Sequence, residues 1–207
     1  MSTEIAATSA PPKLPPSSHA VPVDTFAEAA ALERALRAAL RGEVRFDRGS
    51  RAAYAVDASN YRQFPIGLVI PRDEADVIAT VAICRRFHAP ILARGAGTSL
   101  AGQGCNVAVV LDFSKYLNQL LELNFTERYA RVQPGIVLDT LRDAAEKQHF
   151  TFAPDPSTHN RCTLGGMIGN NSSGAHGLMA GKVQDNVEEL RILLYDGTIL
   201  TVGRTPP

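Results

Sequence analysis

Tryptophan is absent from the 207-residue chain, and cysteine occurs only three times, at positions 84, 105 and 162. No two of these cysteines are close in sequence, which excludes zinc-ribbon and iron–sulfur spacings. So sparse and odd a set suits a reducing compartment. Net charge is also missing: 21 Lys and Arg balance 21 Asp and Glu. That balance excludes a general basic footprint for nucleic acid or an anionic membrane. Long apolar runs are lacking too. The longest, Val107 to Leu111, has five residues, against the ~20 needed to span a bilayer. The composition predicts a cytoplasmic protein with no transmembrane segment.

Glycine is present in quantity and unevenly. Ten of the sixteen glycines fall within Arg94 to Gly104 and Thr163 to Gly181. Glycine is retained where φ must be positive or where another group must approach the main chain. Two such clusters suggest two loops handling one ligand; turn-rich connections are the alternative.

Residues 1–23 are rich in Pro, Ser, Ala and Thr, lack an apolar h-region and contain no Arg. They read as a disordered leader rather than a signal or transit peptide. Residues 24–60 read as a helical lead-in, with Asp24 capping a helix from Thr25 to Leu40 and Gly42 stopping it. From Gly67 the pattern is mixed α/β. Strands are predicted at Gly67 to Ile70, Pro90 to Ala93 and Val107 to Asp112, with a helix capped by Asp73 between the first two. Leu120 to Asn124 and Tyr129 to Val132 form a hairpin pattern, Ile136 to Gln148 a helix. Glu189 to Tyr195 and Thr198 to Val202 alternate around Asp196-Gly197, which predicts a two-residue hairpin turn.

The first glycine loop, ARGAGTSLAGQG from Ala93 to Gly104, fails as a dinucleotide fingerprint. Leu100 stands where the third glycine belongs, and the following strand leaves no room for a helix. No Gly-Lys-Ser/Thr exists, so there is no Walker A loop. What remains is strand–loop–strand, whose successive N–H groups can form an anion nest. The second loop, TLGGMIGNNSSGAHGLMAGKVQDNV from Thr163 to Val187, consists of small and amide-bearing residues, which let a flat ring lie against backbone.

The ordered set ARGAGTSLAGQG, VQPG, PDPST, TLGGMIGNNSSG and DNVEELRILLYDGTIL resembles the FAD-binding domain of the p-cresol methylhydroxylase/vanillyl-alcohol oxidase superfamily. Within it the chain is most similar to FAD-linked D-2-hydroxy acid dehydrogenases, acting on glycolate, D-lactate or D-2-hydroxyglutarate. GGMIGNNSSGAHGLMAGKVQDNV looks most like the long members that carry a C-terminal iron–sulfur module. The resemblance implies an α+β, two-lobed fold over residues 61–207, a small α/β lobe plus a mostly antiparallel lobe, incomplete at the C-terminus. No cap or iron–sulfur domain is expected within these residues.

The resemblance also implies site residues. The backbone around Arg94, Gly95, Ala96, Gly97, Thr98 and Ser99 would bind the FAD pyrophosphate, with Gly102 and Gln103 continuing toward the flavin. Pro134, Gly135, Pro154, Asp155, Pro156 and Ser157 would line the cleft. Thr163, Gly165, Gly166, Ile168, Gly169, Asn170, Ser172 and Gly174 would hold the isoalloxazine and pyrophosphate, with Val187 near the adenine. Thr98 and Ser99 occupy the stretch where relatives often place a flavin-linked His, so FAD is expected to be non-covalent. Ala180 stands where relatives often have Tyr.

No catalytic side chain or metal ligand is assigned. His176 reads either as a general base or as a loop histidine bonded to backbone; Arg94 either as a phosphate partner or as an ion-pair member. Cys105 and Cys162 read as buried fillers. The hydroxy acid substrate would be held by a cap domain outside these residues. The electron acceptor stays open, and peripheral membrane attachment would come only through a redox partner. The alternative function is a non-catalytic flavin-binding or assembly subunit with a separate partner chain. A flavin reductase of cell-wall precursor synthesis shares this fold but fits GGMIGNNSSG less well.

Overall fold

The computed structural model describes residues 26–203. The expected leader, the Asp24 cap and the final residues 204–207 lie outside that range.

The first lobe is a four-stranded sheet with helices against it. Helix α1 (Ala29–Ala39) presents Leu32 and Leu36, both fully buried. Strand β1 (Glu43–Arg45) follows at once and pairs antiparallel with β2 (Gly67–Ile70). The lead-in expected to be helical therefore contributes a strand. Three residues are too short a run for alternation to show. Gly42 fits as much by contact as by stopping the helix, because a Cβ there would overlap the Ile70 carbonyl.

A short helix, α2 (Arg48–Ala53), is capped by Asp47, which accepts from the Ser50 N–H at 2.8 Å. Helix α3 (Glu74–Arg86) starts at Asp73 as predicted, that carboxylate accepting from Asp76 N–H at 3.1 Å. Strands β3 (Ile91–Arg94) and β4 (Val109–Asp112) complete the sheet in the order β1-β2-β4-β3, with β4 parallel to both neighbours. Leu32, Leu36, Val69, Ile83, Cys84, Val109 and Leu111 share this lobe's core. Gly67 to Ile70 and Val109 to Asp112 are buried on both faces, as central parallel strands are.

Parallel neighbours need a crossover of a dozen or more residues. Residues 95–108 make it without a helix, so the first glycine loop is strand–loop–strand as read.

The second lobe has its own core of Ile136, Leu138, Leu141, Cys162, Leu164, Met167 and Val183. Around it lie hairpin β5–β6 (Leu120–Asn124 and Tyr129–Val132), helix α4 (Leu138–Ala145) and helix α5 (Leu164–Asn170). The one-turn helix α6 (Gly177–Ala180) and hairpin β7–β8 (Glu189–Leu193 and Ile199–Gly203) follow.

Two expectations are corrected here. The β7–β8 turn has three residues rather than two: Leu194 pairs with Thr198, Gly197 N–H returns to the Leu194 carbonyl, and Gly197 has φ +94°. This is a turn closed by a left-handed glycine, so Asp196-Gly197 sits one place later in it than predicted. The second glycine cluster is also not one loop, since Thr163 caps a true helix, α5. Glycine's poor helix propensity concealed it; burial of Leu164 and Met167 in the second core offsets that penalty.

Candidate cofactor site

The two glycine clusters meet. A Cβ on Gly95 would overlap Thr163 Oγ1, so the exit of β3 lies directly against the start of α5. Pro134-Gly135 joins the same point. Gly165 N–H donates to the Pro134 carbonyl at 2.8 Å, and a Cβ on Gly165 would lie 2.8 Å from the Pro134 ring. Gly135 N–H in turn donates to the Leu117 carbonyl at 2.7 Å.

The segment at 154–157 joins through its carboxylate. Asp155 accepts from His176 N–H at 3.1 Å and holds His176 Nδ1, while Gly174 packs on the Asp155 backbone. These bonds hold the Asp155 carboxyl below the usual carboxylate range. His176 is therefore bonded both through its backbone and through its ring, with the imidazole itself largely exposed.

The first loop is shaped by groups that the sequence reading missed. Arg94 Nη2 donates to the Val56 carbonyl at 2.9 Å, and Nη1 donates to the carbonyls of Tyr54 and Gly104. Its guanidinium stacks on Tyr54, 5.2 Å from the ring centre. The Tyr54 hydroxyl donates to buried Asp112; burial first, and that bond second, push the phenol above its ordinary range.

Asp57 accepts from Gly104 N–H and Ser59 N–H, each at 2.9 Å. Partial burial works against its ionisation, but these bonds and Arg94 hold its carboxyl below the ordinary range. Only the Asp57-x-Ser59 turn was visible as a local signal; Tyr54 and Asp112 are 58 residues apart.

Among the described residues Arg94 makes no ion pair, and its Nη donors go to three backbone carbonyls. Gly97, at φ +68°, lies under that guanidinium, and a Cβ there would come within 2.5 Å of Nη2. Gly102 lies over Tyr61, and Gln103 pairs with the Ser99 hydroxyl.

Two features of the site have no protein partner. Among the described residues, the successive N–H groups of Ala96, Gly97, Thr98, Ser99 and Leu100 donate to no protein acceptor. A run of unpaired amides in one loop can bind an anion. On α5, Gly169 has no atom within 4 Å of an added Cβ, and Gly166 has only its cap, Thr163 Oγ1, at 3.3 Å. These glycines are exposed and one turn apart on a single helix face. Interior glycines weaken a helix, and no protein contact at Gly169 requires one there.

Several of the other expected residues are built into the scaffold. Ile168 and Val187 pack against the second core. Pro154 is buried, its carbonyl accepting from Arg142 at 3.2 Å. Thr163 is buried as the α5 cap. Pro156 and Ser172 are half-buried, while Ser157 and Asn170 are exposed. The three cysteines are free and buried, Cys105 and Cys162 as expected; burial pushes the Cys84 thiol up to about 12.

A flat, anionic ligand fits an unpaired amide run beside a bare helix face, and comparison with known proteins identifies its class. The profile of the FAD binding domain family matches residues 65–203. The chain belongs to this FAD-binding family. It is 38% identical over 169 residues to D-2-hydroxyglutarate dehydrogenase of Pseudomonas putida, covering 80% of this chain and 17% of that protein. It is 37% identical over 157 residues to glycolate oxidase subunit GlcD of Bacillus subtilis, covering 74% of this chain and 33% of the relative. The chain thus spans between a sixth and a third of the length of these curated relatives.

Among solved structures, alkyldihydroxyacetonephosphate synthase aligns with a TM-score of 0.74 at 22% identity, over 85% of this chain and 35% of that one. A carbohydrate oxidase from Microdochium nivale aligns at 0.71 with 18% identity, over 84% and 37%. These likenesses show the fold, a two-lobed mixed α/β FAD-binding domain. Among the described residues no helix is long and apolar enough to cross a membrane.

Proposed function

We propose that this chain is the FAD-binding portion of an FAD-linked oxidoreductase that oxidises a D-2-hydroxy acid. The observation that carries the reading is the meeting of the unpaired amide run 96–100 with the bare Gly166/Gly169 face through the Gly95–Thr163 contact. The substrate class follows the relatives, whose printed activities concern D-2-hydroxyglutarate and glycolate.

When bound, FAD supplies the hydride acceptor. The residues of this chain bind and orient. Residues 96–100 offer backbone N–H groups to the pyrophosphate, and the α5 glycines leave the main chain bare for close approach. Asn170 and Ser172 supply polar side chains beside that face. Arg94, Tyr54, Asp112 and Asp57 fix the loop, so its amides are organised before the ligand arrives. With Thr98 and Ser99 in the loop, the attachment is non-covalent.

The test has two steps. Purified chain, dialysed and then titrated with FAD, is expected to bind one equivalent with a protein-type visible flavin spectrum. Failure to bind removes the cofactor assignment. Next, the chain is fused to the residues that follow the matched segment in the Bacillus subtilis relative. The fusion is loaded with FAD and mixed anaerobically with glycolate, D-lactate or D-2-hydroxyglutarate. Bleaching of the flavin by one of them is expected; a fusion that holds FAD and is bleached by none overturns the substrate class.

A further inference from the structure

Residues 55–63 form a turn that follows the first glycine loop from Gly97 to Gly104. Its base is closed by the Val56–Arg62 bridge and by Gln63 N–H, which donates to the Ala55 carbonyl at 2.8 Å. Three contacts tie the turn to the loop. Ala58 N–H donates to the Gly97 carbonyl at 3.0 Å, Asp57 accepts from Gly104 N–H at 2.9 Å, and Tyr61 packs on Gly102. Gly102 lies two residues beyond Leu100, the last of the unpaired amides.

Tyr61 is held in place within this turn. Its N–H donates to Ser59 Oγ at 3.0 Å. A Cβ on Gly102 would lie 2.7 Å from Tyr61 Cδ2 and 3.2 Å from its Cγ. Gly102, at φ +82°, is required to be glycine on both counts. That contact uses only the near part of the side chain, and the residue stays 62% exposed. Among the described residues the ring stacks on no other aromatic and carries no cation, and the hydroxyl has no protein partner. A scattered exposed apolar side chain needs no explanation. Here, however, a large ring is fixed beside a loop of unpaired N–H groups. Tyrosine offers rigid contact area with two χ angles to freeze, and its ring favours offset-stacked or edge-to-face partners.

We propose that Tyr61 is a further cofactor-contact residue, whose ring stacks on one of the two flat ring systems of FAD. The inference rests on the assignment of the pyrophosphate to residues 96–100. A dinucleotide whose phosphates meet those amides carries a flat ring to either side of them. Tyr61 is the exposed aromatic that the loop itself holds beyond them.

The test is titration of the full chain with FAD, followed by flavin fluorescence, in the wild type and in Tyr61→Phe, Tyr61→Leu and Tyr61→Ala, with Tm read for each. Tyr61→Ala and Tyr61→Leu should each weaken binding about tenfold, as the loss of one aromatic stack does. Tyr61→Phe, which keeps the ring, should stay within about twofold of the wild type. Leucine keeps the packing on Gly102 without the ring, so full affinity in Tyr61→Leu assigns Tyr61 to the scaffold and overturns the proposal. Full affinity in Tyr61→Ala overturns it too, as does a loss in Tyr61→Phe equal to that in Tyr61→Ala. The fluorescence of bound FAD tells the two rings apart, because a phenol in contact with isoalloxazine quenches it and a phenyl ring does not. Brighter bound FAD in Tyr61→Phe assigns the isoalloxazine to Tyr61; unchanged brightness beside the Tyr61→Ala loss assigns the adenine. A wild type that binds no FAD removes the cofactor assignment itself, and this inference with it.

Discussion

Gly95 and Gly169 stand in the two dense glycine clusters for opposite reasons. At Gly95 a Cβ would overlap Thr163 Oγ1, and at Gly169 it would meet nothing within 4 Å. Gly95→Ala should therefore force the β3 exit away from α5, costing about 1–3 kcal/mol as overpacking does, with lower Tm and weaker FAD binding together. Gly169→Ala should behave differently. Replacing an interior helix glycine stabilises by up to about 1 kcal/mol, so Tm should rise while FAD affinity falls. A Gly169→Ala chain that gains stability and keeps full affinity would show that the α5 face does not meet the cofactor. Most of the remaining clustered glycines resemble Gly95: Gly97, Gly102, Gly165 and Gly174 each lie against a protein group.

At the scale of elements, the first loop is held by Arg94 rather than by its glycines alone. One guanidinium reaches the carbonyls of Tyr54, Val56 and Gly104, and a lysine's single point of charge cannot span them. Arg94→Lys should destabilise the protein by about 2–3 kcal/mol, since it leaves carbonyls without their charged donor. Amide exchange across residues 95–108 should rise more than elsewhere. Exchange that rises uniformly would place Arg94 in global stability instead of in the loop.

This support was not legible in the sequence, because Arg94, Tyr54, Asp57 and Asp112 are brought together only by the fold. What was legible is what is local. The Asp73 cap, the strand runs at Gly67 to Ile70 and Val109 to Asp112, and the β5–β6 hairpin all follow from adjacent residues. Strand β1 and helix α5 were missed for the complementary reason. Each is short, and each is fixed by what it packs on: β1 by its ladder with β2, α5 by the second core. The order of the glycine motifs along the chain carried the family resemblance, but not which glycines stay open.

At the scale of the molecule, each lobe has its own core, and the candidate site lies where the exit of β3 meets the start of α5. Acid stability of the first lobe should depend on Glu43, which ties β1 to the segment after β4. Hydrogen bonds from Lys115, then from Tyr116 and Arg45, hold its carboxyl at about 2, against partial burial. A depressed folded-state pKa contributes stability that is full above the ordinary carboxylate range and is lost as pH falls toward 2. Glu43→Gln should therefore lower Tm at pH 7 and leave it unchanged near pH 2. An equal loss at both would assign the effect to packing rather than charge.

The central claim is that residues 96–100 and the Gly166/Gly169 face of α5 together hold FAD. Amide hydrogen exchange of the full chain with and without saturating FAD tests it most directly, because those loop amides donate to no protein group among the described residues. The account predicts strong slowing confined to residues 96–100 and to the segment around α5. FAD that binds while leaving the exchange of residues 96–100 unchanged would contradict it.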